Sequence, residues 1–287
     1  MTANSRYRGR FAPSPSGPLH AGSLVAAMAS YVHARQHQGA WLLRIEDVDE
    51  TRTRAGAADD ILRTLDTLGF YWDDRVVYQS QRKERYAEVL EHLLDSGHAY
   101  PCACSRADVA ENGSLGSQGW IYPGSCREGI PAGKTARVVR LRTNDEPVRF
   151  QDMIAGDQSQ RIESEVGDFV IRRADGYTAY QLAVVVDDGD QGITHVVRGA
   201  DLLQSTARQI YLQRLLGLPC PRHAHTPLVL DEQGRKLSKQ DRAQPVSART
   251  ALSSLWFAYQ FLYGTTDVPD ISSVAEFWQW ALEQPVA

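Results

Sequence analysis

No Gly-x-x-x-x-Gly-Lys-Ser/Thr run occurs anywhere in the 287 residues, so a triphosphate, if one binds, is not held by a P-loop. No apolar stretch approaches the roughly 20 residues that a membrane span needs. The polar start, Met1-Thr2-Ala3-Asn4-Ser5-Arg6, leads directly into a strand-like segment, and a soluble, cytoplasmic protein with no membrane partner is expected. Cysteine is scarce, and four in a chain of this length exclude a disulfide scaffold. Neither sign of charge dominates. A net charge of -4 argues against wholesale coating of nucleic acid but permits a local basic surface. Internal repeats and low-complexity tracts are also lacking.

What cysteine there is lies close together. Cys102, Cys104 and Cys126 flank a loop that contains Gly113, Gly116 and Gly119. Three thiolates suit zinc and leave one corner of a tetrahedron open, for which Tyr122 and His98 are both near enough in sequence; imidazole is the chemical default and buried free thiols are the alternative. Cys220, held between Pro219 and Pro221, reads as a packed thiol. Arg137, Arg140, Arg142, Arg149, Arg161, Arg172 and Arg173 crowd the same middle region, which suggests an insert that faces RNA.

The periodicity predicts a strand over 6–12, a helix from Ser23 to Gln38 stopped by Gly39, and a strand from Trp41 to Ile45 that leaves Glu46 and Asp47 on the ligand edge. Helices follow at Asp59 to Leu68 and Arg82 to Ser96. The stretch from Tyr100 to about Asp190 reads as a β-rich insertion. Strand and helix signals return at Ile193 to Val197, Leu202 to Leu216 and Pro227 to Leu230, and the tail from Ser247 to Leu282 is helical and aromatic. The expected division is 1–99 and 191–235 as two halves of a Rossmann-like parallel α/β sheet, 100–190 as the insertion, and 236–287 as a lysine loop with a helical appendage.

Two distant stretches carry phosphate chemistry. The run Arg10-Phe11-Ala12-Pro13-Ser14-Pro15-Ser16-Gly17-Pro18-Leu19-His20-Ala21-Gly22 puts a histidine and a glycine where a strand gives way to a helix, so imidazole, backbone amides and helix dipole can face a phosphate. Lys236-Leu237-Ser238-Lys239-Gln240 supplies ammonium groups. Together they read as a split ATP-activating site.

These motifs, with Arg44-Ile45-Glu46-Asp47-Val48-Asp49-Glu50-Thr51-Arg52, Leu68-Gly69-Phe70-Tyr71-Trp72, Tyr78-Gln79-Ser80-Gln81-Arg82 and Ile193-Thr194-His195-Val196-Val197-Arg198-Gly199, are collinear with the catalytic half of the glutamyl-tRNA synthetases, which the chain resembles from about Arg8 to Gln240. The resemblance implies a class I synthetase fold with an inserted zinc-binding subdomain. Leu19-His20-Ala21-Gly22 looks like the class I His-x-Gly-His signature with Ser23 at the second histidine, and Lys236 to Gln240 is similar to Lys-Met-Ser-Lys-Ser with Gln240 at its end. By the same likeness His20, Gly22, Ser23, Lys236, Ser238 and Lys239 hold ATP, with His20, Lys236 and Lys239 catalytic. Arg10, Phe11, Ala12, Pro13, Ser14, Glu46, Tyr180 and Arg198 hold glutamate, the arginines taking a carboxylate and Glu46 the ammonium. The zinc ligands it implies are Cys102, Cys104, Tyr122 and Cys126, in a structural role.

The chemistry so implied is ATP- and Mg²⁺-dependent adenylation of L-glutamate, followed by transfer to a hydroxyl. Only 47 residues follow Gln240, too few for helical anticodon-binding domains. The resemblance is therefore to a truncated branch of the family, which activates glutamate without bound tRNA and whose acceptor is queuosine at the wobble position of tRNA(Asp), acting as a monomer. The alternatives are a minimal synthetase charging the tRNA 3' end and a non-catalytic RNA-binding descendant.

Overall fold

The computed structural model describes residues 6–116, 118–230, 250–265 and 269–285, which fall into two compact units. The first unit takes residues up to Gln79, Gly192–Leu203 and Pro221 onward; the second takes Ser80–Gln191 and Gln204–Cys220.

In the first unit β1 (Arg8–Phe11), β2 (Ala40–Ile45) and β3 (Asp73–Tyr78) form a parallel sheet, with Arg8 opposite Ala40 and Phe11 opposite Leu43. Parallel strands need a crossover, and α1 (Ala21–Gln36) and α2 (Ala57–Thr67) supply the two that this order requires. Helix α1 is buried along most of its length, at Leu24, Val25, Ala27, Met28, Tyr31 and Val32 among others, which is why its sequence is alanine-rich and almost uncharged. It packs against α8 (Ala251–Tyr263), α9 (Val274–Glu283) and β11 (His195–Gly199), and β11 pairs in parallel with β12 (Arg222–Thr226).

The aromatic tail closes this core. Tyr31 meets the edges of Trp41, Phe70 and Trp278 at 4.8 to 5.2 Å between ring centroids, and the Trp278 indole donates to the Leu68 carbonyl at 2.7 Å. Gly69, at φ +72°, makes room for this contact, because a Cβ there would lie 2.9 Å from Trp278 and in a backbone region that side chains disfavour. The appendage is thus part of the core. The strand expected at Pro227 to Leu230 forms earlier, at Arg222–Thr226, where both faces are buried, His223 and His225 on one and Ala224 and Thr226 on the other; largely polar buried residues give no apolar alternation to read.

A stack of Tyr7, His33, His37 and His195 lies under β1, with Tyr7 and His195 4.1 Å apart and His33 and His37 4.4 Å apart. Burial first, then His37, His195 and Arg222 nearby, lowers the His33 pKa to about 4; burial, Arg222 and His37 lower His195 likewise to about 4. Burial raises the Tyr7 phenol against the opposing pull of Arg10, so it stays protonated and hydrogen-bonded to His33 Nδ1 at 2.8 Å. Both histidines gain protons on unfolding between pH 6.5 and 4. Their stabilisation is therefore complete above about 6.5 and lost as pH falls towards 4, by on the order of 2 kcal/mol for the pair once their partial exposure is discounted. Denaturant midpoints at pH 7.5 and 4.5 test this: His33→Gln should flatten the difference, and an unchanged difference refutes the assignment.

The second unit begins with α3 (Lys83–Asp95) and holds an antiparallel sheet ordered β10 (Val170–Arg172), β7 (Val138–Leu141), β4 (Ala99–Cys102). Two hairpins, β5 (Ser114–Gly116) with β6 (Gly119–Ile121) and β8 (Pro147–Asp152) with β9 (Gly156–Arg161), and the short helices α4 (Arg106–Asn112) and α5 (Ile162–Glu165) complete its sheet-rich part. The β-rich reading up to Asp190 holds only in part, because Tyr180–Asp190 is a helix, α6. Its valine run, Val184 to Val186, is buried and carries no period that separates a strand from an enclosed helix. Asp187 of α6, fully buried, accepts from the Tyr86 hydroxyl and from Arg82 Nε at 2.6 Å, which binds α6 to α3. Helix α7 (Leu203–Leu215) adds a Gln209 to Gln181 hydrogen bond at 2.9 Å. Among the described residues no helix is long and apolar enough to cross a membrane.

Candidate active site and metal centre

The strand ends of the first unit carry several predicted side chains. Arg10 is buried in β1, Glu46 follows the last residue of β2, and Arg198 is buried in β11. Thr194 and Arg8 exchange backbone and side-chain hydrogen bonds at 2.9 Å, tying the starts of β1 and β11 and leaving Arg10 and Arg198 towards their far ends. The C-terminal ends of parallel strands are where such sheets bind ligands. The loop through Phe11, Ala12, Pro13 and Ser14 is fixed there: the Glu46 amide donates to the Pro13 carbonyl at 3.0 Å and the Arg54 amide to Pro15 at 2.9 Å. Gly17, at φ +151°, turns the chain into Pro18 through a region that only glycine enters readily.

His20 caps α1. Its Nδ1 accepts the Ser23 amide at 3.3 Å, which puts the proton of a neutral ring on Nε2, 3.0 Å from the Ser23 hydroxyl. Ser23, whose amide and hydroxyl both meet the ring, thus orients His20. Gly22 and Ser23 occupy the first turn, half-buried, where helix amides point outward.

Glu46 has a partner that sequence reading did not single out. Arg44, fully buried two residues earlier, reaches its carboxylate at 3.5 Å. The spacing is its signal, since side chains two apart on a strand share one face. Arg198 donates from Nε to His225 Nε2 at 3.1 Å and from Nη2 to the Leu202 carbonyl at 3.3 Å, so the imidazole is unprotonated at Nε2. Tyr180 is the first residue of α6 in the second unit and is half-buried. Lys236, Ser238 and Lys239 lie outside the described residues.

In the second unit the three clustered cysteines do meet. The Sγ atoms of Cys102, Cys104 and Cys126 lie within 4.8 Å of one another, Cys104 and Cys126 at 3.7 Å. The Tyr122 hydroxyl is 3.4 Å from Cys102 Sγ and 4.0 Å from Cys104 Sγ, and it accepts the Cys126 amide at 2.8 Å. Tetrahedral zinc with bonds of about 2.3 Å sets its sulfurs about 3.8 Å apart, so the donor set fits; a disulfide needs about 2 Å. His98, the chemical default for the fourth place, is not in the group. Burial would raise the Cys102 thiol, but hydrogen bonds from Tyr122 and Arg140 outweigh it and hold it below its usual range. Burial, the hydrogen bond to Cys126 and the adjacent thiols push Cys104 up to about 11. The three sulfurs can hold a metal ion. Replacing Cys126 by serine should release at least half of any metal bound by purified protein, as read by elemental analysis; full retention would remove this centre from the metal's ligands.

Arg140 belongs to this centre and not to a surface. It is buried, its Nε donates to Cys102 Sγ at 3.3 Å, and its guanidinium lies 3.8 Å from the centre of the Tyr122 ring. Arg142 stacks on Tyr100, while Arg161 and Arg173 pair with Asp145 and Asp175. Of the seven clustered arginines Arg140 alone is buried, Arg142 and Arg173 are half-buried, and Arg137, Arg149, Arg161 and Arg172 are exposed, so a run of one charge in sequence did not report where each side chain points. Cys220, expected to be packed, is exposed, because the flanking prolines hold it on a surface turn after α7.

Comparison with known proteins places these features. A family model described as tRNA synthetases class I (E and Q), catalytic domain, matches residues 6–254. The chain is 52% identical over 285 residues to a glutamyl-Q tRNA(Asp) synthetase of Janthinobacterium sp. (strain Marseille), covering 97% of this chain and 96% of the relative. It is 54% identical to a protein of the same name from Dechloromonas aromatica, with 98% and 94% covered. Among solved structures it is similar to a glutamate tRNA ligase from Elizabethkingia meningosepticum, in complex with its amino acid, at a TM-score of 0.72 and 28% identity. That match covers 84% of this chain and 54% of the ligase, about half of its length.

Proposed function

The chain belongs to the class I tRNA synthetases of the E and Q group, and within them to the glutamyl-Q tRNA(Asp) synthetases, and from this we propose that it activates L-glutamate with ATP, without bound tRNA, and transfers it to queuosine in the wobble position of tRNA(Asp). The observation that carries this reading is identity above 50% over almost the whole of relatives that bear that name. Membership makes the protein a ligase. The finer reading adds a cytoplasmic monomer.

In the proposed first step a glutamate α-carboxylate oxygen attacks the α-phosphorus of ATP; a new P–O bond forms and pyrophosphate leaves with its charge. Both reactants are anionic, so positioning and neutralisation matter more than a base. Arg10 and Arg198 are proposed to fix glutamate's carboxylates, and Glu46, oriented by Arg44, its ammonium. His20 and the amides that open α1 face the α-phosphate, and Lys236 and Lys239 meet the leaving pyrophosphate. Ala12, Ser14 and Tyr180 are proposed as further glutamate contacts. Mg²⁺ accompanying ATP supplies charge neutralisation on the phosphates. In the second step a hydroxyl of queuosine's cyclopentenediol attacks the activated carbonyl and AMP departs. Zinc held by Cys102, Cys104, Tyr122 and Cys126 is proposed as structural.

The deciding experiment offers labelled glutamate and ATP with queuosine-bearing tRNA(Asp), queuosine-free tRNA(Asp) and tRNA(Glu). Label on the queuosine form alone is expected. Label on tRNA(Glu), with none on the queuosine form, would establish 3'-end charging in its place.

A further inference from the structure

Among the described residues no carboxylate pairs with the guanidinium of Arg208, in the second unit. Arg208 of α7 is half-buried; Nη2 donates to the Gln118 Oε1 at 2.9 Å and lies 3.5 Å from the Ser205 hydroxyl. Its Nε is buried with no acceptor among the described residues, and none of the described carboxylates pairs with it. Desolvation accordingly disfavours its charged form, and the only group acting the other way is the nearby Tyr180 phenol. A cation kept half-dehydrated without an anion costs stability, and an anionic ligand would recover it.

Gln118 leads from this guanidinium to an unusual surface. It sits in the turn of the β5–β6 hairpin, where Leu115 and Trp120 are directly opposite each other and therefore on the same face. Leu115 is 71% exposed and Trp120 50%, among the most exposed large apolar side chains described. An exposed indole flanked by leucine, beside an unneutralised guanidinium, matches the two halves of an unpaired nucleotide: a base with two apolar faces and a phosphodiester with one negative charge. An apolar peptide would use the hairpin but leave Arg208 without an anion, and a phospholipid surface would bring a phosphate but no planar ring to stack on the indole.

Resting on the function proposed above, we propose that the β5–β6 hairpin and Arg208 seat an unpaired stretch of the RNA substrate, with bases against Leu115 and Trp120 and a phosphodiester on the Arg208 guanidinium. Trp120 and Arg208 then serve the transfer half of the reaction and not the activation half.

The test uses the full chain with a queuosine-bearing anticodon stem-loop of tRNA(Asp), read both as binding by fluorescence anisotropy and as glutamate transfer, alongside ATP–pyrophosphate exchange without RNA. Trp120→Ala should weaken RNA binding and raise the KM for RNA about tenfold, within the range for losing one stacked base, and Trp120→Phe should restore most of it. Arg208→Gln should weaken binding and lower the slope of log affinity against log salt by about one. Exchange should stay within twofold in both. RNA binding unchanged by Trp120→Ala would overturn the seat, as would a raised KM for glutamate in Arg208→Gln, which would move the guanidinium to the amino-acid pocket. If the unaltered protein binds the loop through Trp120 but transfers no glutamate to it, the seat stands and the proposed function falls.

Discussion

Arg198→Ala is expected to lower kcat/KM for glutamate-dependent ATP–pyrophosphate exchange roughly a thousandfold, because truncating one partner of a buried charge pair costs about 3–5 kcal/mol. Arg198 is 5% exposed and its fork is already aimed, Nε by His225 and Nη2 by the Leu202 carbonyl, so little rotamer entropy remains to be lost when a carboxylate arrives. Alanine removes the charge and leaves the carboxylate desolvated without a donor. Lysine would keep the charge and lose the fork, and Arg198→Lys should fall between the two, nearer to alanine. A loss carried mainly by the KM for glutamate would mean that Arg198 holds substrate and transition state alike; a loss carried by kcat would mean that it acts only as the carboxylate attacks. Exchange within threefold of the unaltered protein, in a variant whose circular dichroism shows it folded, would remove Arg198 from the proposed site.

Glu46 marks the boundary between what composition shows and what a site requires. Its place at the end of a buried apolar strand was legible, since Trp41 to Ile45 can only be a parallel core strand and the next residue must stand on the ligand edge. That Arg44 lies fully buried beneath it was not, because an arginine in an apolar run looks the same in sequence whether it snorkels to water or pairs inside. The thiol cluster divides in the same way. Three cysteines around a glycine-bearing loop announced a metal-ligating group, with Tyr122 among the candidates for its fourth place, yet the guanidinium of Arg140 that compensates their charge came only with the fold. Strand β12 was missed by position because His223 and His225 are buried as polar partners, and polarity is what a hydrophobic pattern discards. Helix α6 was missed for the opposite reason, as an apolar run with no period at all. Spacing therefore reports backbone and edge well, and reports poorly any buried group whose partner comes from elsewhere in the chain.

Asp168→Asn is expected to destabilise the second unit by about 3–5 kcal/mol, the cost of leaving buried donors and a cation without their carboxylate. The Asp168 side chain is 1% exposed and accepts from Arg127 Nε at 2.5 Å and Nη2 at 2.6 Å, from the Thr143 amide and hydroxyl at 2.8 Å each, and from the Tyr100 hydroxyl. Asparagine keeps one acceptor oxygen and turns an amine towards groups that only donate. Burial would raise the Asp168 pKa, but the bonds from Arg127, Tyr100 and Thr143 outweigh it and hold it below the usual carboxylate range. A depressed acid stabilises the fold above its unfolded value near 4 and loses that contribution as pH falls through the folded value, so the variant should also lose acid sensitivity in this range. The damage should reach the thiols. Arg127 directly follows Cys126, and the Asp168 backbone carbonyl accepts Arg140 Nη1 at 2.7 Å while the same guanidinium donates to Cys102. Two of the three sulfurs are thus positioned through residue 168 by different routes. Denaturant midpoint and metal content should therefore fall together in Asp168→Asn, whereas Cys126→Ser should lose metal with the Arg127–Asp168 pair intact and a smaller shift in midpoint. A midpoint unchanged by Asp168→Asn would show that Arg127 and Thr143 find water or other acceptors, and that the carboxylate is not what holds the thiol cluster in place.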